Sequence, residues 1–147
     1  MRLTQQLSVA IIPPSTNETE PTCRILHDSR DTGLILPGAI LEAAVELPAG
    51  WLVFLTHDVP YEEALEISLV SPDFALLDRA RISAPYATAV FANLENVSPT
   101  ILRFDFLGDR PWRLELLDSP GFRLPLLSKP AGVQRPMGFS RRFRVSH

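Results

Sequence analysis

The stretch LEAAVELPAGWLVFLTHDVPYEEALEISLV, residues 41–70, decides the fold. Leu41, Ala43, Val45 and Leu47 alternate with Glu42, Ala44 and Glu46. After Pro48-Ala49-Gly50 comes Trp51–Leu55, apolar on both faces. His57-Asp58-Val59-Pro60-Tyr61-Glu62-Glu63 interrupts, and then Leu65, Ile67 and Leu69 alternate with Glu66, Ser68 and Val70. Alternation of period two marks a strand with one buried face, and a short continuous apolar run marks a strand covered on both. The pattern predicts consecutive strands with Trp51–Leu55 as the central one.

Working outward, the same signals recur. Toward the N-terminus, Gln5–Ile12 is a strand closed by Pro13-Pro14, because proline cannot donate to a ladder. Cys23–Leu26 and Leu34–Leu36 are short strands flanking the turn-rich His27–Gly33. A flexible, polar loop is expected near residues 13–24. Toward the C-terminus, Ser71-Pro72-Asp73 suits a helix start or a type I turn. The alternation over Leu76–Ile82 favours a turn followed by a returning strand. An Ala84-Pro85-Tyr86 turn leads to Thr88–Ala92. Ile101–Phe106 and Trp112–Leu116 form a hairpin around Gly108-Asp109-Arg110-Pro111. Arg103 and Arg113 are expected opposite acids on neighbouring strands. Phe122–Leu127 resumes the strand, Ser128–Gly138 reads as loop, and Phe139, Phe143 and Val145 share one face of a last strand.

Composition agrees. The chain has 147 residues, the size of one domain, with 46% hydrophobic residues and 14 prolines. That proline content is about twice average usage, and it works against long helices. The expected architecture is all-β, one domain over 1–147: an antiparallel β-sandwich, jelly-roll or Ig-like, with a closed β-barrel as the alternative. No run reaches the roughly 18 apolar residues of a membrane helix. A single Cys23 allows no internal disulfide and, with no signal peptide evident, a cytoplasmic location is expected. The two glycosylation sequons, at Asn17 and Asn96, are then chance matches.

The net charge of −3 is uneven. Residues 1–99 carry thirteen acids against five arginines, whereas 100–147 carry nine cations against four acids. Either the two parts pack together and neutralise each other, or the C-terminal part meets an anionic partner. The second reading rests on the basic strand 135–147, with Arg135, Arg141, Arg142 and Arg144 as its cations and Phe139 and Phe143 as anchors. Nucleic acid is disfavoured by the overall negative charge.

Chemistry-bearing motifs are sparse. The serine nucleophile elbow, the phosphate-cradling glycine loop and the dinucleotide fingerprint are all missing. One cysteine excludes a four-cysteine zinc site within the chain. Cys23, His27 and His57 with a carboxylate form at most a weak zinc pattern, so no metal or cofactor is expected. The densest cluster of functional groups is His57, Asp58, Tyr61, Glu62 and Glu63, on a loop carried by a rigid scaffold. Aromatic and carboxylate groups there suit a sugar or a metal ion. Glu62 and Glu63 are adjacent in sequence and point apart, which does not suit a paired-carboxylate hydrolase. The leading expectation is a non-catalytic module for protein–protein contact or oligomerisation. Ligand binding at His57–Glu63 comes second. A small hydrolase or isomerase with a barrel cavity comes last, and it predicts a deep pocket on which at least two of the three histidines or several carboxylates converge.

Overall fold

The computed structural model describes residues 1–14, 20–121, 131–136 and 141–147. Its elements are strands: β1 (Arg2–Leu3), β2 (Leu7–Ile12), β3 (Thr22–His27), β4 (Arg30–Pro37), β5 (Ile40–Leu47), β6 (Gly50–Thr56), β7 (Ala64–Val70), β8 (Leu76–Ser83), β9 (Ala92–Ser98), β10 (Ile101–Asp105), β11 (Trp112–Gly121), β12 (Val133–Gln134) and β13 (Arg141–Ser146). They form three antiparallel sheets, ordered β1-β5-β6-β7-β8-β12, β13-β11-β10-β9 and β2-β3-β4. None closes on itself, so the architecture is a β-sandwich and not the alternative barrel. No helix of the described residues is long and apolar enough to cross a membrane.

The quoted stretch becomes β5, β6 and β7, at the middle of the six-stranded sheet. Leu52 and Phe54 of β6, with Leu65, Ile67 and Leu69 of β7, enter a core shared with Leu102, Phe104, Trp112, Leu114, Phe143 and Val145 of the four-stranded sheet. Val53, Leu55 and Val70 point the other way and pack with Leu7, Cys23, Ile25 and Leu36 of the three-stranded sheet. The six-stranded sheet is therefore covered on both sides. That corrects the expectation of one solvated face for residues 64–70: every residue of β7 is buried, Glu66 and Ser68 included.

Local chemistry explains the turns. Asp28 and Ser29 both adopt positive φ, 49° and 66°, and join β3 directly to β4. Two such residues match the right-handed twist of a hairpin, and aspartate tolerates the left-handed region. The turn is thus shorter than the expected His27–Gly33. At residues 71–75 the expected turn forms instead of a helix. Ser71 N donates to Ala75 O at 2.9 Å, and Ala75 N returns a bond to Ser71 Oγ at 2.9 Å. Trp112, 1% exposed, places its indole N–H on Leu107 O at 3.1 Å, so its polar end is satisfied.

Other expectations shift. The strand expected at Thr88–Ala92 instead occupies Ala92–Ser98, where Asn93, Glu95 and Asn96 hide the pattern because this strand is a half-exposed edge. Arg103 does face an acid, Glu95, but across the hairpin it lies opposite Arg113, whose other neighbour is Ser146. Val133–Gln134 pairs with β8 inside the expected loop. Part of the flexible loop expected near 13–24 (residues 15–19), Phe122–Leu127 and Phe139 lie outside the described residues, and β3 already begins at Thr22.

Gly50 is the tightest point of the central sheet. It sits at φ +131°, and a Cβ there would lie 1.9 Å from Val70 O. Gly108, at φ +94°, has nothing within 4 Å of the same position. Gly108→Ala should cost only the backbone strain of about 1–3 kcal/mol. Gly50→Ala should exceed that range, because a backbone carbonyl must also move. Urea unfolding of the two variants measures the difference, and equal losses would contradict the close approach.

Candidate functional site

The loop joining β6 to β7 closes on one carboxylate. Glu63 Oε1 accepts hydrogen bonds from His57 N at 2.7 Å, Ala64 N at 3.0 Å and Asp58 N at 3.2 Å. Asp58 completes the turn at φ 62°. Three N–H donors on one oxygen make Glu63 the internal brace of the loop. His57 turns inward, buried, while Asp58, Tyr61 and Glu62 remain exposed. The five residues singled out in the sequence are close in the chain, but their side chains do not converge on one point.

What the structure gathers instead is a chain of charges on the inner side of the loop. His57 Nε2 lies 2.9 Å from Glu66 Oε1. Arg81 Nε donates to the same oxygen at 2.5 Å, and its two terminal nitrogens reach Glu20 Oε2 and Oε1 at 2.8 Å each. Glu66 faces Arg81 because β7 and β8 pair in that register. The hydrogen bonds to Glu20 raise the Arg81 guanidinium, and the same contact holds the Glu20 carboxyl below its usual value. A cleft of about 300 Å³ opens beside this group, lined by Glu66, Arg79, Arg81, Gln134 and Arg135. The interior thus holds titratable groups, His57 and Glu66 among them. Only one histidine, His57, belongs to the set.

Asp78 forms a second buried knot, with no exposed surface. Its Oδ2 accepts from Arg135 Nη2 at 2.5 Å and from Arg142 N at 2.8 Å, and Arg141 Nη1 lies 3.7 Å from Oδ1. Arg135 also stacks its guanidinium 4.4 Å from the centre of the Phe143 ring. Burial lowers the Arg135 pKa, opposed by the charge of Asp78. Arg144 pairs with Glu115. Of the four arginines proposed for an anionic partner, Arg135 and Arg141 turn their guanidinium groups to Asp78, Arg144 pairs with Glu115, and Arg142 meets Asp78 through its backbone amide. Phe143 and Val145 enter the core as their alternation implied.

The concave surface next to the sequence-derived loop lies on its outer side. A cavity of about 450 Å³ is walled by Val59, Pro60 and Glu63 of this loop, by Thr88, Ala89 and Val90 between β8 and β9, and by residues 105–108 after β10. All three segments leave the same end of the sandwich. Val59, Tyr61, Tyr86 and Val90 are 37%, 74%, 84% and 80% exposed there. Tyr86 and Val90 were not singled out in the sequence. Their signal, large apolar side chains in a proline-containing connection, is no different from that of core residues.

His27 does not approach His57's partners. It packs against Trp51 and Phe74, with ring centres 5.5 and 5.4 Å away. Cys23 is buried, and desolvation pushes its thiol up to about 11. Among the described residues no three His, Cys, Asp or Glu side chains gather as a metal site. Comparison with protein-family models, curated proteins and solved structures finds no match to this chain.

Two stability measurements test this geometry. Asp78→Ala leaves Arg135, whose side chain is 6% exposed, without its anion. The expected loss is about 3–5 kcal/mol, against less than about 1 kcal/mol for Glu95→Ala at the exposed Arg103 pair. Similar losses would show that the buried pair is not special. Because Glu20 is held below its usual pKa of 4.5, its contribution is complete above that value and is lost as pH falls through the lowered one. Glu20→Gln should therefore lower the urea midpoint at neutral pH and match the wild type in strongly acid solution.

Proposed function

We propose that the chain is a non-catalytic binding module that receives a protein partner at the loop end of the sandwich. The observation that carries this reading is the exposure of Val59, Tyr61, Tyr86 and Val90 on the two connections that wall the 450 Å³ cavity. Large apolar side chains held out of a rigid scaffold gain by being covered, at about 25 cal/mol per Å². Tyrosine at such a surface supplies contact area at low entropic cost and recurs among the residues that dominate interface energies. The cavity between the connections suits an apolar side chain inserted by the partner.

Binding of a carbohydrate or a metal ion at His57–Glu63 is the second reading. Tyr61 and Tyr86 support a sugar, since a saccharide face stacks on an exposed ring. The nearby carboxylates favour it less. Glu63 Oε1 is occupied by three backbone donors, and Asp105 Oδ2 accepts from Asn93 Nδ2 at 2.6 Å.

Methyl-resolved NMR titration of the full chain distinguishes the two. Synthetic peptides rich in leucine and tryptophan should move the methyl signals of Val59, Ala89 and Val90. Val90→Asp should weaken that binding about tenfold or more. A glycan panel, calcium chloride and zinc chloride should leave those signals in place. A response to glycans or ions alone would transfer the site to the second reading, and no response to any peptide would remove the first.

A further inference from the structure

The six residues of β2, Leu7-Ser-Val-Ala-Ile-Ile12, carry no charge and no proline. They pair with β3 on one side only, so β2 is an edge of its sheet among the described residues. A sheet edge presents unpaired N–H and C=O groups to any extended chain, and proteins usually blunt such edges. The other edges are blunted. β1 and β12 are two residues long, and β13 carries Arg141, Arg142 and Arg144. β4 carries Arg30 and Asp31 and ends in Pro37. β9 carries Glu95 and meets its neighbour with two register shifts. Among the described edge strands only β2 is long, regular and uncharged.

Its side chains point to the same feature. Ile11 lies opposite Cys23 in the ladder, and residues directly opposite share a face. Cys23 is 0% exposed, yet Ile11 on the same face is 62% exposed. The apolar row Leu7, Val9, Ile11 thus runs off the covered part of the sheet at its open edge.

We propose that β2 pairs with β2 of a second copy of this chain, antiparallel and centred on Val9. In that register Val9 meets Val9, Leu7 meets Ile11, and Ser8 meets Ala10. A pairing of this parity keeps the inner faces of the two sheets on one side, whereas a slip by one residue turns the partner over. The row Leu7, Val9, Ile11 then continues across the two-fold axis and covers Ile11. A charged peptide strand fits less well, since its charges would lose water beside Val9 and Ile11 without gaining a counter-charge. Pro13-Pro14 ends the paired stretch, as proline has no N–H to offer. The guarded β4 edge at the opposite side of the sheet keeps the contact a closed pair and not a fibre. Six residues span about 20 Å, so the contact is small and the dimer dissociates on dilution. The β2 edge lies outside the loop-end cavity, so the two surfaces are tested separately.

Ser8 and Ala10 are exposed, which makes them safe to change. Ser8→Cys and Ala10→Cys chains, mixed in equal amounts and mildly oxidised, should give a covalent dimer on a non-reducing gel. Each variant alone should give little, because like residues do not face each other. Cys23 stays out of the reaction, being buried with its thiol raised to about 11. In sedimentation, the wild-type mass should climb from 16.4 kDa toward twice that value with concentration. The Ser8→Lys, Ala10→Lys double variant should stay at the lower mass with unchanged circular dichroism, and Val90→Asp should dimerise normally. A wild type that stays monomeric at every concentration overturns the proposal. So does a mass increase without cross-linking in the mixture, or Ser8→Cys alone linking as well as the mixture does.

Discussion

Coverage of the six-stranded sheet on both faces is the constraint from which the rest follows. β6 and β7 have no solvated side, and their side chains divide between two apolar cores. A buried strand gains from every aliphatic group it carries and is penalised for every polar group left unpaired. Glu66 and Asp78 lie within that covered region, 3% and 0% exposed. Each is tolerated because polar partners reach it from elsewhere: His57 and Arg81 at Glu66, and Arg135, Arg141 and the Arg142 amide at Asp78. The ionic contacts do not drive folding, but they make this particular arrangement of strands the one in which the buried carboxylates are satisfied.

Part of the uneven charge along the sequence is balanced in the same way. Asp78, from the acidic part, meets Arg135 and Arg141, from the basic part. Opposite charges far apart in the chain are brought together by β8 and the two C-terminal strands. The basic segment is thereby tied into the sandwich through Asp78 and Glu115. The surfaces proposed for recognition are the connections at one end of the sandwich and the β2 edge. Both carry exposed apolar groups: Val90 and Tyr86 project from the connection between β8 and β9, and Ile11 from the edge strand β2.

The loop at residues 57–63 shows how far local reading goes. Its position between two strands was legible, because the polar run interrupts two apolar ones. The roles within it were not. Glu63 braces the loop and His57 points inward, while Asp58, Tyr61 and Glu62 face solvent. Composition says which groups are present, and only the path of the backbone says which way each one points. The strand Ala92–Ser98 was missed for a related reason: an edge strand with one face in water does not need an apolar pattern.

By itself the sequence determined the all-β class, the central position of Trp51–Leu55, the hairpin around Gly108–Pro111 and the inward face of Phe143 and Val145. Those features depend on side-chain period, proline and glycine, and all three are local. Tertiary structure alone decided that the described residues form three sheets of which none closes, that Glu66 and Asp78 are buried, and that Arg135, Arg141 and Arg144 turn to carboxylates of the chain itself. It also decided that β2 lies at a sheet edge among the described residues. Burial and charge pairing are properties of which strands become neighbours, and neighbours distant in the chain leave no mark in a periodicity read along it.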